Sequence, residues 1–142
     1  MARSVTRRGF AARVGGAGLL LVTLAGCARD KKTAQPVPPG STVLALGDSL
    51  TFGTGASAET SYPTVLAGLT GWNVVNAGVS GDTSAQALAR LPALLAEHQP
   101  KLVIVSIGGN DFLRKLPESD TRAHVHAICK QSLAAGAQVL LV

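Results

Sequence analysis

The chain has 142 residues, 46% of them apolar and 15% charged, which suits one folded domain and excludes intrinsic disorder, a coiled coil and a collagen-like rod. Its net charge of +5 sits at the start: residues 1–26 hold Arg3, Arg7, Arg8 and Arg13 and no acid, which leaves +1 from Cys27 onward. Two cysteines, Cys27 and Cys129, build no disulfide scaffold, and one Trp, one Tyr and three Phe without a basic cluster leave nucleic-acid binding without a footprint.

The basic start runs into an apolar stretch, Val14–Leu24, of 11 residues. A membrane-spanning helix needs about 20, so this is the hydrophobic region of an export signal occupying residues 1–26. Residues 27–41 begin with Cys27 and continue through Pro36, Pro38, Pro39 and Gly40 with no hydrophobic period, as an extended tether. At about 3.1 Å per residue such a tether reaches roughly 40 Å. The folded domain is expected over residues 42–142.

Strands and helices alternate from Thr42. Val43–Leu46 is a short unbroken apolar run, as a parallel strand buried on both faces requires. Ser61–Leu69 reads as a helix, with Ser61 as N-cap, Pro63 in the first turn and Gly71 past its end. Trp72–Asn76 is a second strand. Asp82 or Thr83 caps a helix that carries Leu88, Leu91, Leu94 and Leu95 on one face to about His98; Pro92 lies inside it, and a kink or break is expected after Arg90. Leu102–Ile107 is the clearest strand. A third long helix runs from about Ser119 to Ala135, with Val125, Ile128 and Leu133 inward and Gly136 at its end, and Gln138–Val142 starts a fourth strand. This order predicts an α/β fold, a doubly wound three-layer sandwich on a parallel sheet, and places the chain's end within the fourth strand.

In such a sheet the loops after the strands gather along one edge, where ligands bind. Three of those loops are Gly47-Asp48-Ser49-Leu50, Gly78-Val79-Ser80-Gly81-Asp82 and Gly108-Gly109-Asn110-Asp111. Together they offer what acyl transfer needs. Ser49 supplies a hydroxyl nucleophile and its own N–H, Gly81 a backbone N–H, and Asn110 a side-chain amide for a developing oxyanion. Taken singly, each residue is as readily a turn or cap residue, and Asp48, Asp82 and Asp111 read as turn or cap residues too.

With these blocks in order, the domain resembles the GDSL, or SGNH, hydrolases over Thr42–Val142. Ser80-Gly81-Asp82-Thr83 and Ala89-Arg90-Leu91-Pro92-Ala93-Leu94-Leu95 are similar to the bacterial thioesterase, arylesterase and lysophospholipase branch. The resemblance implies a flavodoxin-like strand order, no metal and no organic cofactor. It also implies Ser49 as nucleophile, with Ser49, Gly81 and Asn110 forming the oxyanion hole. Upstream, Leu24-Ala25-Gly26-Cys27 resembles the lipobox of bacterial lipoproteins, which implies lipidation of Cys27 and anchoring of an exported protein to the cell envelope. Thr6-Arg7-Arg8-Gly9-Phe10 resembles a twin-arginine signal, although ordinary export signals also carry paired arginines.

The family's Asp-x-x-His block, which holds the general base, has no match. His98 lies about 22 Å from the reactive edge at 1.5 Å per helical residue. His124, four residues after Asp120, is the one improvised base on offer, and His126 lies beside it. The expectation is therefore a truncated serine ester hydrolase that carries the nucleophile and lacks turnover by itself. Its expected partners are a small ester, thioester or lipid substrate and a membrane reached through the lipid anchor; the chain is expected to be a monomer. The rival expectation is a non-catalytic, ligand-binding envelope lipoprotein, or an inactive domain on a tether.

Overall fold

The computed structural model describes residues 34–142; Cys27, the expected export signal and the start of the expected tether lie outside them. Four strands, β1 (Thr42–Gly47), β2 (Asn73–Gly78), β3 (Leu102–Ser106) and β4 (Gln138–Leu141), form a parallel sheet in the order β2-β1-β3-β4. Leu44 lies opposite Val75 on one side and Val103 on the other, and Val103 lies opposite Val139. Alternate side chains of a strand point to opposite faces. Leu44, Leu46, Val103 and Val105 thus enter one core cluster, while Val43, Leu102 and Ile104 enter another. The two central strands are apolar without interruption because both of their faces are covered.

Five helices connect and cover the strands: α1 (Ser49–Phe52), α2 (Tyr62–Thr70), α3 (Ser84–His98), α4 (Gly109–Leu113) and α5 (Glu118–Ala134). Ala87, Leu91 and Leu95 of α3 and Ile128 of α5 pack on the face of Leu44, whereas Leu66 of α2 packs on the face of Val43. The chain steps one way from β1 to β2 and the opposite way through β3 to β4. Crossovers of one hand then put α2 on one face and α3 and α5 on the other. The result is the expected doubly wound α/β sandwich with a flavodoxin-like order, and its direction reverses between β1 and β3, where a crevice opens at the strand ends.

Several local expectations are corrected. α3 runs unbroken through Pro92. Pro92 lies on the exposed side of the helix, where water can take the carbonyl that loses its donor. Thr83, not Asp82, caps α3 in a capping box with Gln86. In α5, Leu133 faces solvent and Ser132 faces inward, its hydroxyl donating to the Ile128 carbonyl at 2.9 Å. The proline-rich segment is not a free tether up to Ser41. Val37 packs against the α2-side core, its carbonyl accepts from Trp72 Nε1 at 2.9 Å, and Gln35 and Gln138 exchange amide hydrogen bonds. A proline-rich chain has few donors to satisfy, so docking it on the domain between the starts of β4 and β2 costs little in backbone hydrogen bonding.

Candidate active site

The first loop is shaped by close packing. A Cβ on Gly47 would collide with the Thr51 side chain and lie 2.7 Å from the Ser106 carbonyl, so only glycine lets β1 end against β3 here. Asp48 follows as N-cap of α1, its carboxylate accepting from the Leu50 N–H at 3.0 Å. Ser49 is then the first residue of a one-turn helix, which Gly53 closes in the left-handed region at φ 103°. Beneath it Thr51 is fully buried and bonds the Tyr62 hydroxyl at 3.1 Å, tying α1 to α2. Burial pushes the Tyr62 hydroxyl above its ordinary pKa; the Thr51 bond opposes this and the Asp48 charge adds to it.

The second loop leaves β2 at Gly78, where a Cβ would strike the Phe52 backbone. Gly81 has φ +83°, while a Cβ there would meet only the end of Arg114 at 3.5 Å. Within the protein it is conformation rather than space that demands this glycine. Two guanidinium groups pin the loop. Arg90 donates to the Asp82 carboxylate at 2.8 Å and to the Gly47 carbonyl at 2.9 Å, joining the first two loops. Arg114 donates to the Gly81 carbonyl at 2.7 Å.

The third loop turns at Gly108, with φ 117°, into α4. Asn110 reaches across: its Nδ2 donates to the Asp82 carbonyl at 2.9 Å and, at a longer 3.4 Å, to the Asp48 carboxylate. One amide thus touches the residue after Gly81 and the residue before Ser49, so the structure brings the three predicted loops together. Among the described residues, neither the Ser49 N–H nor the Gly81 N–H donates to a protein acceptor. Two open backbone donors therefore lie on this edge, and one Asn110 hydrogen is only loosely held. The arrangement suits an acceptor that develops negative charge.

No histidine joins Ser49. His98 is the last residue of α3, at the opposite end from the capped start, and its imidazole lies 3.8 Å from the Glu97 carboxylate. His126 is exposed. The Asp120–His124 pair does not form: Asp120 accepts from Ser119 at 3.2 Å, and His124 Nδ1 meets the Ser84 hydroxyl at 3.0 Å. Among the described residues no three His, Cys, Asp or Glu side chains converge as metal ligands.

That contact belongs to a cluster that residue types alone did not disclose. Asp111, 2% exposed, accepts from the Ser84 N–H at 2.8 Å, the Ser84 hydroxyl at 2.5 Å and the Thr121 hydroxyl at 3.1 Å. Burial pushes the Asp111 carboxyl up, but these donors outweigh it and hold the group below its ordinary value. Because the Ser84 proton is committed to Asp111, its oxygen accepts from His124 Nδ1–H, which fixes that tautomer. The partners lie 27 and 40 residues apart in sequence, beyond any local pattern.

The profile of the GDSL-like lipase/acylhydrolase family matches residues 45–142. The chain belongs to that family. It is 47% identical over 105 residues to the thioesterase 1/protease 1/lysophospholipase L1 of Escherichia coli strain K12, covering 71% of this chain and 50% of the relative. Esterase TesA of Pseudomonas aeruginosa is 40% identical over 106 residues, covering 71% and 53%. Among solved structures, the SGNH-hydrolase family esterase AlinE4 superposes with a TM-score of 0.68 at 34% identity, over 75% of this chain and 60% of that one. The chain spans about half the length of the curated relatives it matches.

Proposed function

We propose that this GDSL-family chain carries the nucleophile half of a serine ester hydrolase acting on an ester, thioester or lysophospholipid. The observation that carries the reading is Asn110 Nδ2, which bridges the loops of Ser49 and Gly81 beside two open backbone N–H groups. In the proposed reaction the Ser49 hydroxyl oxygen attacks the acyl carbon and passes its proton to a histidine base. The carbonyl oxygen becomes an oxyanion that accepts from the Ser49 N–H, the Gly81 N–H and the Asn110 amide. Its Asn110 donor is the hydrogen now held at 3.4 Å by Asp48, the weaker of that amide's two bonds. The alcohol or thiol leaves with the proton, and water then attacks the acyl-serine to release the acid.

His98, His124 and His126 do not supply this base, so residues 1–142 alone are expected to be inactive. The test is to complete the domain with the C-terminal half of the Escherichia coli relative. Ser49 of the completed protein then reacts with an alkyl fluorophosphonate, and Ser49→Ala does not. A folded completed protein in which Ser49 stays unlabelled overturns the hydrolase in favour of the ligand-binding lipoprotein.

The same reading extends to location. Leu24-Ala25-Gly26-Cys27 at the end of the apolar run supports an exported protein lipidated on Cys27 and held at the envelope, with two acyl chains needed for stable anchoring. The wild-type chain is then expected in the detergent phase and Cys27→Ala in the aqueous phase. Both forms in the aqueous phase would exclude the anchor.

A further inference from the structure

We propose that Asp111 is a positioning residue that aims the two oxyanion donors outside the nucleophile loop; this rests on the assignment of Gly81 and Asn110 as donors. Residues 110 and 111 are consecutive in α4, and both grip the turn that opens α3. Asn110 holds the Asp82 carbonyl, and Asp111 holds the Ser84 N–H and hydroxyl. The two grips fix the turn on either side of Thr83, and therefore fix the backbone that presents the Gly81 N–H. They also set the distance from that turn to the Asn110 amide.

The carboxylate suits this task better than a neutral group. It accepts three hydrogen bonds at once, from α3 through Ser84 and from α5 through Thr121, and bonds to a charged acceptor are shorter and stronger than neutral ones. His124 backs the Ser84 hydroxyl from α5, which leaves that hydroxyl proton directed at Asp111. Asp111 has no path to a substrate: it is buried, and its oxygens are occupied by protein donors. It acts through Asn110 and the 82–84 turn.

Nitrogen-15 NMR of the full 142-residue chain reads the Asn110 side-chain amide and the Gly81 N–H directly. Asp111→Asn keeps the shape and removes the charge. Both signals are expected to shift, and the Ser84 N–H is expected to exchange about tenfold or more faster. Ser132→Ala, which removes a buried serine bond elsewhere on α5, is expected to leave all three signals in place. Thr121→Val removes one of the donors to the carboxylate; it is expected to move the same signals less and decides the matter where Asp111→Asn fails to fold. Faster Ser84 exchange with unmoved Asn110 and Gly81 signals overturns the proposal and leaves Asp111 a purely structural group. Signals that move as expected, together with a folded completed protein whose Ser49 is never labelled, overturn the hydrolase assignment instead.

Discussion

On the face covered by α3 and α5, ten buried residues from β1, β2, β3, both helices and the approach to β4 form one cluster. On the face covered by α2, the buried cluster is smaller, Val43, Leu102 and Ile104, with Val37, Leu66, Trp72 and Val74 half-covering it. The polar architecture is divided in the same way. The start of α3 has a capping box and the Asp111 cluster, whereas Ser61 at the start of α2 makes no side-chain cap bond. The proposed donors Gly81 and Asn110 belong to the densely packed side. Ser49 instead rests on α1, which is fixed by Thr51, by the bond to Tyr62 and by two glycine contacts. Two of the three proposed oxyanion donors are thus built into the more densely packed half, which suits electrostatic preorganisation.

The sharpest way to break this comparison is at the nucleophile. Ser49→Ala in the completed protein is expected to abolish ester turnover while leaving the thermal midpoint nearly unchanged, because Ser49 Oγ has no hydrogen-bond partner among the described residues. Hydrolysis of p-nitrophenyl esters by residues 1–142 alone, lost on Ser49→Ala, would contradict the missing-base reading and return His124 to consideration.

The two cores separate next. Leu91→Ala on the α3 face is expected to cost about 2.7 to 5.0 kcal/mol, and Leu66→Ala on the α2 face about half that, because Leu66 is only half-buried. Urea unfolding of both variants measures the ratio, and equal losses would erase the distinction between the faces.

Asn110→Ala then tests whether the densely packed side serves chemistry. Loss of an oxyanion donor is expected to lower kcat by about 10² to 10³, or about 2.7 to 4 kcal/mol, with KM little changed. A residue that only ties loops together would instead lose about 1 kcal/mol of stability with kcat retained.

Acid gives a smaller effect of definite sign. Since folding holds the Asp111 carboxyl below its ordinary value, the unfolded chain takes up that proton first as pH falls. The stability contributed is complete above about pH 4 and is lost as pH drops through the native value. Urea midpoints measured below pH 4 are expected to fall less steeply in Asp111→Asn than in the wild type. The smallest effect belongs to the α2 side: Trp72→Phe loses the 2.9 Å bond to the Val37 carbonyl and is expected to cost about 1 kcal/mol, read from the thermal midpoint.

What the sequence determined by itself is the framework. Strand identity followed from unbroken apolar runs, helix placement from Ser61, Pro63, Gly71 and the leucine period before His98, and the edge that gathers Ser49, Gly81 and Asn110 from the alternation of elements. These signals are local, since period, cap and turn chemistry are written within a few residues. The one-turn helices α1 and α4 escaped because four or five residues show no period. Only the tertiary structure decided the rest. It carried α3 unbroken through Pro92, turned Leu133 outward, docked Gln35 and Val37 on the domain, and gave His124 to Ser84 rather than to Asp120. It also assembled Asp111, Ser84 and Thr121 into one cluster. A buried polar group must find whichever partner folding brings near it, and for Asp111 and Ser84 that partner lies 27 residues away.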